Sequence, residues 1–171
     1  MLRGLGDSSA FLLGIYFFVA GVSKLRSLDD TAASFKAFGL AQPARLARVV
    51  SIVELITALG LFAAPRFVSL VAIALLAAFT TVLLRGLKAG ITIGCNCFGS
   101  VGKHRVSVLD IVRNALFMGL GLSSALFSDT GIVQPTFAGV IFLGGAAILI
   151  TGLFALVRAR AIQQDGATRL K

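Results

Sequence analysis

No charged side chain occurs in the run FVSLVAIALLAAFTTVLL, which extends from Phe67 to Leu84. A run of this length and composition spans the hydrocarbon core of a bilayer as one α-helix. The whole chain shares this bias, because 57% of its 171 residues are hydrophobic, 13% are charged and the mean hydropathy is +0.97. A soluble domain of this size normally carries more charge. We therefore predict an all-α integral membrane protein in contact with the lipid bilayer.

Similar apolar runs lie on both sides of this segment and predict five spans in a single transmembrane domain. The domain is expected at residues 1–157, with spans at about 8–25, 44–64, 67–85, 107–127 and 135–157, and a basic tail at 158–171. A tight turn at Pro65 and Arg66 would separate the second span from the third. This count predicts a four-helix transmembrane bundle with a fifth transmembrane helix.

A short interfacial helix is predicted between the first two spans, at about residues 30–38. Asp29 and Asp30 are typical N-terminal caps, and Gly39 is typical of a helix end. Phe35 and Phe38 are three residues apart and therefore share one face of this helix. We expect the helix to lie on the bilayer surface.

Both cysteines of the chain occur in the sequence ITIGCNCFGS, within a glycine-rich loop at residues 86–105. Cys95 and Cys97 are one residue apart, so a disulfide between them would be strained and therefore oxidising. Basic residues on both sides of the loop favour the thiolate form. These features predict catalytic cysteines in a membrane thiol–disulfide oxidoreductase. The residues expected to shape the loop are Gly94, Phe98 and Gly99.

Two other interpretations of the cysteines stay open. In one, they pack as small hydrophobic side chains beside a turn. In the other, they bind a metal ion together with His104. Three ligands without a fourth are a weak zinc pattern, so no metal site is predicted.

Four charged residues within or beside the spans are candidates for a supporting role: Lys24, Glu54, Asp110 and Arg113. Glu54 lies roughly 12 Å below the basic surface at helical rise, where an unpaired carboxylate is costly. Lys24 ends the first span on the same side, so the two residues can pair, either to lock two helices together or to handle protons. Asp110 is favoured as a helix cap, and Arg113 can reach the lipid head groups. All four, with the cysteines, are expected at one end of one bundle.

The sequence Gly94-Cys95-Asn96-Cys97-Phe98-Gly99 resembles the Cys-x-Cys-Phe-Gly signature of the MauE family, the methylamine-utilisation membrane proteins within the wider DoxX-like group. Asp110 to Leu116 is similar to the start of the helix that follows the signature, and Phe18 to Leu25 to the end of the first helix. Glu54 resembles the second-helix glutamate of the family. The resemblance covers residues 13–122 and implies a four-helix core.

The resemblance also implies a role in maturing a partner protein, namely the processing, transport or disulfide formation of the methylamine dehydrogenase small subunit alongside a thioredoxin-like partner. Cys95 and Cys97 would exchange with that partner, while Lys24, Glu54 and Arg113 order the loop or bind a quinone head group. One alternative is a non-catalytic membrane subunit or chaperone of an oxidoreductase complex, with the loop as a docking surface. Another is a small transporter with Glu54 as its coupling residue, although no broken helix pair is evident.

The formal charge of +9 does not indicate a nucleic-acid partner, because the basic residues lie between apolar runs and no aromatic residues alternate with them. It instead predicts orientation. Five spans place Arg3 and Arg66 on one side. The other side receives thirteen basic residues: Lys24, Arg26, Lys36, Arg45, Arg48, Arg85, Lys88, Lys103, Arg105, Arg158, Arg160, Arg169 and Lys171.

The positive-inside rule then predicts a multi-pass protein of the inner (plasma) membrane with its N-terminus outside and its cysteine loop and C-terminus in the cytoplasm. Methylamine dehydrogenase matures outside the cytoplasm, so the family resemblance and the charge count place the loop on opposite sides. We take the charge count as the better guide to the loop.

This orientation is testable with a single reporter cysteine added after Lys171, in a chain whose own cysteines are replaced by serine. We expect an impermeant maleimide to label it only after the cells are permeabilised, because the basic residues hold the tail in the cytoplasm. A cysteine placed before Met1 is the matched control and should be labelled in intact cells. Labelling of the C-terminal cysteine in intact cells would contradict the five-span arrangement with its N-terminus outside.

Overall fold

The computed structural model describes residues 2–90, 108–129 and 131–135, together with residues 140, 141, 144 and 145. Within these ranges the regular structure is entirely helical, which confirms the predicted all-α class. The helices are α1 (Leu2–Arg26), α2 (Leu28–Ala37), α3 (Pro43–Ala63), α4 (Pro65–Lys88) and α5 (Val108–Phe127). By length and composition, α1, α3 and α4 are suited to cross a membrane.

The arrangement of four spans plus a fifth stays a prediction. Helix α5 occupies the position predicted for the fourth span, at Val108–Phe127. Most of the predicted fifth span and all of the basic tail lie outside the described residues. Residues 140, 141, 144 and 145 within that span are helical.

Helix α1 packs against α3 and α5, and α4 packs against α5. The apolar layer between them contains Leu13, Phe17, Ala58, Leu61, Ala72 and Leu76, which are all fully buried or nearly so. Glycines bring α1 close to α3. A Cβ atom added at Gly14 would lie 2.8 Å from the ring of Phe62, and one at Gly21 would lie 2.9 Å from Leu55. Helices in lipid associate by close packing at small residues. The lipid tails are as apolar as the helix surfaces, so the hydrophobic effect does not drive the helices together.

Helix α1 begins at Leu2, six residues before the predicted span at residue 8. Tertiary contacts explain this extension. Gly6 packs directly on the backbone at the end of α5. The buried carboxylate of Asp7 accepts a hydrogen bond of 3.3 Å from the backbone N–H of Gln134. A charged residue that looked like the flank of a span is therefore part of the packed helix.

A short helix is present at Leu28–Ala37, and its place at the bilayer surface stays a prediction, but the prediction of an aspartate cap was wrong. Ser27 is the N-cap residue, and Asp29 and Asp30 lie in the first turn of α2, where negative charge favours the helix dipole. Gly39 follows the helix end with a φ of 71°, and its N–H donates to the carbonyl of Lys36 at 2.9 Å. The predicted glycine stop is confirmed by this geometry. A positive φ is costly for residues other than glycine, which explains why glycine occupies this position.

The predicted turn at Pro65 and Arg66 was also wrong. Pro65 is the first residue of α4, so Ala64 alone separates α3 from α4. Proline suits the first helical position because its missing N–H would have no partner there. Val68 packs against Gly60 across this break, which makes α3 and α4 an antiparallel pair.

Gly6→Ala should destabilise the fold, since the new Cβ atom would lie 2.7 Å from both the carbonyl carbon of Phe127 and the backbone nitrogen of Ser128. Backbone atoms cannot rotate away, so we expect a loss of about 1–3 kcal/mol, as for other overpacked sites. The measurement is thermal stability in detergent, followed by size-exclusion chromatography of the heated protein. Gly119→Ala is the control, because nothing lies within 4 Å of its new Cβ atom. Equal melting of the two variants would contradict this packing.

Candidate functional site: a buried ion pair at one end of the bundle

Helices α1 and α4 end, and α3 and α5 begin, at the same end of the bundle, which we call the loop end. The antiparallel contacts define it, since Lys24 near the end of α1 meets Glu54 of α3, and Thr80 of α4 meets Asn114 of α5. In the chain, residues 89–107 join α4 to α5. The sequence that connects these helices therefore contains both cysteines.

Lys24 and Glu54 form a buried ion pair at the loop end. The Nζ atom of Lys24 lies 2.7 Å from both carboxylate oxygens of Glu54. Both residues are buried, with exposed fractions of 0% for Lys24 and 1% for Glu54. Removing two charges from water is expensive, and the cost is recovered only when attraction and hydrogen bonds are nearly ideal. The bidentate geometry meets that requirement, so the predicted pairing of these two residues is present.

The ion pair has an aromatic boundary on the side of α4. The ammonium group of Lys24 lies 5.5 Å from the centre of the Phe79 ring, a distance at which a cation is attracted to the face of the ring. Ser51 lies about one turn before Glu54 and is fully buried. Its hydroxyl group donates a hydrogen bond to the backbone carbonyl of Ala47 at 2.8 Å. The hydroxyl group of Ser51 is therefore hydrogen-bonded within α3, and the carboxylate of Glu54 is bonded by Lys24.

Asp110 and Arg113 lie near this pair, in the first turns of α5. Arg113 Nη2 lies 3.4 Å from Asp110 Oδ1, and each side chain is about one-third exposed (30% and 31%). Arg113 interacts electrostatically with Lys24. The structure therefore brings together all four predicted supporting residues, Lys24, Glu54, Asp110 and Arg113, which we call the charged cluster. The cap role of Asp110 stays a prediction.

Tyr16 connects the ion pair to Arg113. Its buried hydroxyl group interacts electrostatically with Arg113, Glu54 and Asp110. Its ring stacks on Phe117 of α5 at a centroid distance of 3.6 Å. The phenol therefore lies between α1 and α5, where it is held by packing and faces charges of both signs.

Asn114 adds a neutral polar group to the loop end. It is fully buried, and its amide nitrogen donates to Thr80 Oγ1 at 3.2 Å. The Thr80 hydroxyl in turn donates to the carbonyl of Leu76 at 2.7 Å. The Oδ1 atom of Asn114 has no hydrogen-bond partner among the described residues. The interhelical hydrogen bond pins α5 to α4 beside the charged cluster.

Sequence analysis did not single out Tyr16, Phe79, Thr80 or Asn114. A signal was present for two of them, because a tyrosine or an amide in an apolar helix needs a polar partner when it is buried. No signal identified Phe79, since phenylalanine in a membrane span is ordinarily a lipid or core contact.

The loop residues predicted as catalytic or loop-shaping lie outside the described residues, and their roles stay predictions. They are Cys95, Cys97, Gly94, Phe98 and Gly99. His104, considered as a metal ligand, also lies there. Within the described ranges, no group of three or more His, Cys, Asp or Glu side chains is placed to hold a metal ion.

The charged cluster has two positive and two negative groups, so it is neutral overall. A buried ammonium–carboxylate pair can hold a bundle in register, and it can also hold or release a proton when a polar molecule or a neighbouring charge disturbs the balance. Both possibilities come from the same geometry.

Together, the fold and the site define a small helical membrane protein whose first two long helices are joined by a buried lysine–glutamate pair. The chain belongs to the family described as Methylamine utilisation protein MauE, whose family model matches residues 3–128. Over 151 residues it is 30% identical to the methylamine utilization protein MauE of Paracoccus denitrificans. The matched region covers 85% of this chain and 78% of the relative. No solved structure matches the chain. The charged cluster lies entirely within the family match.

Glu54→Gln should destabilise the protein strongly, because it leaves the Lys24 ammonium buried without its counter-ion. Breaking a buried pair by removing one partner costs about 3–5 kcal/mol. Lys24→Gln combined with Glu54→Gln should recover part of this loss, which a double-mutant cycle on thermal stability in detergent measures.

The control removes one charge from the exposed pair Arg3–Asp129. Arg3 Nη1 lies 2.9 Å from Asp129 Oδ2, and the two side chains are 59% and 60% exposed. Asp129→Asn should change stability by less than about 1 kcal/mol. Strictly additive effects of the Lys24 and Glu54 substitutions would show that the pair contributes no coupling.

Proposed function

We propose that this MauE-family protein acts in methylamine utilisation as a membrane thiol–disulfide exchange protein that matures a partner oxidoreductase of the methylamine dehydrogenase small-subunit type. Family membership over residues 3–128 supports the pathway. The observation that carries the chemical part is the charged cluster at the loop end, where the sequence that contains Cys95 and Cys97 joins α4 to α5. Reactive groups and a buried charge pair are thus associated with one end of the bundle.

The proposed chemistry is a pair of sulfur displacements with a thioredoxin-like partner. A cysteine thiolate attacks the partner's disulfide, forms a mixed disulfide and releases one partner thiolate. The second cysteine then attacks the mixed disulfide, so that the partner leaves with two thiols and Cys95–Cys97 becomes a disulfide. Two electrons pass to the partner, and the reverse sequence returns them.

In this proposal the charged cluster supports the cysteine loop rather than reacting itself. Lys24, Glu54 and Arg113 would order the loop, whereas the basic residues on both sides of the cysteines in the sequence, Lys88, Lys103 and Arg105, would favour the thiolate. Glu54 fixes Lys24 in place through both oxygens at 2.7 Å. In the reverse direction the partner's two thiols reduce the Cys95–Cys97 disulfide, and a quinone head group bound by these polar side chains would accept the two electrons when the cysteine pair is oxidised again. The proposal also includes an inner-membrane location with the N-terminus outside.

A second candidate function is a non-catalytic membrane subunit or chaperone of an oxidoreductase complex. One observation favours it: the ion pair is completely enclosed, and Lys24 engages both oxygens of Glu54. In this second candidate the closed pair locks α1 to α3 and takes no part in chemistry. In that case the loop would be a docking surface and the cysteines would be dispensable.

Single serine variants distinguish the two functions. If the cysteines cycle through a disulfide, replacing the resolving cysteine leaves the mixed disulfide without a second thiol to break it. Cys97 is nearer in sequence to Lys103 and Arg105, so we expect it to be the more acidic thiol and Cys95→Ser to accumulate a covalent adduct with a thioredoxin-like protein. The measurement is acid quenching of cells, alkylation and a non-reducing gel.

Cys97→Ser and the double serine variant are the controls. The double variant should show no reducible band of higher mass and should lose the ability to mature the partner. Full function of the double variant, with no adduct in either single variant, would exclude the exchange mechanism and favour the docking subunit.

A further inference from the structure

An apolar cavity lies at the junction of α2, α3 and α4, separate from the charged cluster. Its volume is about 170 Å³. The side chains that line it include Phe35 and Leu40 from α2 and the turn after it, Leu46 and Val50 from α3, and Phe79 and Val82 from α4. None of these carries a polar group, so the cavity has no hydrogen bonds to offer water. An apolar cavity of similar size, about 150 Å³, stays dry and accepts a six-carbon ring.

The cavity exists because α3 and α4 are in contact at the opposite end of the bundle and bridged by α2 at the loop end. Near their connection, Val68 of α4 packs directly on Gly60 of α3. At the loop end, Phe38 lies against Gly86 instead, so the turn after α2 closes the space above the cavity. The wedge-shaped space between α3 and α4 therefore contains the cavity, and a molecule from the bilayer can occupy it.

Three exposed basic residues are close in sequence to residues that line the cavity. Lys36 is adjacent to Phe35, Arg45 is adjacent to Leu46, and Arg85 follows Val82 by one helical turn; all three side chains are exposed. Beside Arg45, the residues from Gln42 to Arg45 form an open concavity of about 370 Å³. The residues that line the apolar cavity thus have an open surface hollow and several exposed cationic side chains on neighbouring residues.

We infer that this site binds an anionic phospholipid, with the end of one acyl chain in the cavity and the phosphate beside Arg45. The cavity matches an apolar chain in size and chemistry. The exposed basic residues next to the lining residues match a negatively charged head group, since basic side chains at a membrane surface attract anionic lipids. The inference is independent of the proposed function, because it uses no cysteine and no member of the charged cluster.

A bound chain would also support the ion pair. Phe79 lines the cavity and also holds the ammonium group of Lys24 at 5.5 Å from its ring centre. Filling the cavity would restrict the movement of that ring. Lipid at this position is therefore expected to raise the thermal stability of the whole bundle.

The test titrates the purified full chain in detergent with dioleoyl phosphatidylglycerol or dioleoyl phosphatidylcholine and counts retained lipids by native mass spectrometry. The wild-type protein should retain one phosphatidylglycerol with about fivefold preference over phosphatidylcholine, the effect expected from one basic side chain at a membrane surface. Arg45→Gln should remove this preference. Arg66→Gln, an equal loss of charge at the opposite end of α4, should leave it unchanged.

Cavity filling provides the second arm. Ala78→Phe places a ring in the cavity and should abolish retention of both lipids, whereas Ala77→Phe, the adjacent exposed position that does not line the cavity, should not. Equal retention of the two lipids by the wild-type protein would overturn the inference, as would equal behaviour of the two phenylalanine variants. If Ala78→Phe does not purify as a folded protein, the wild-type and Arg45→Gln comparison decides alone.

Discussion

The ion pair between Lys24 and Glu54 constrains the whole bundle. Each residue is almost completely buried, and each depends on the other for compensation of its charge. A shift of α1 along α3 by a single turn would leave two charges unpaired in an apolar layer, at a cost of several kcal/mol. The pair therefore fixes the register and the antiparallel direction of α1 and α3. The glycines at 14 and 21 allow α1 to lie close to α3 along the same interface.

The remaining polar groups follow the same logic at both ends of the molecule. At the loop end, Asn114 donates to Thr80 and pins α5 to α4. At the opposite end, the hydroxyl of Ser69 donates to that of Ser124 at 2.7 Å. An apolar layer built around Leu13, Phe17 and Leu76 separates the two polar zones. Polar bonds between helices thus define the register at each end, while the middle associates by shape alone.

The charged cluster and the apolar cavity share one side chain, Phe79, which contacts both Lys24 and the cavity. One aromatic ring therefore contacts both the buried pair and the cavity. If lipid fills the cavity as inferred above, it would act on the ion pair through this ring. That coupling would be invisible in a comparison based on the family match alone, because it depends on the packing of α2 over the gap between α3 and α4.

The sequence by itself determined the helical membrane class, the approximate limits of the helices and the family, because long uncharged runs and a short cysteine signature are local features of the chain. It also indicated that Lys24 and Glu54 can pair, since helical rise alone places both at the same depth. Only tertiary structure decided the start of α1, the parts played by Tyr16 and Asn114, and the cavity beside Phe79. Each of these depends on which faces of separate helices meet, and in lipid that choice is made by close packing and interhelical hydrogen bonds, which leave little trace in hydrophobic periodicity.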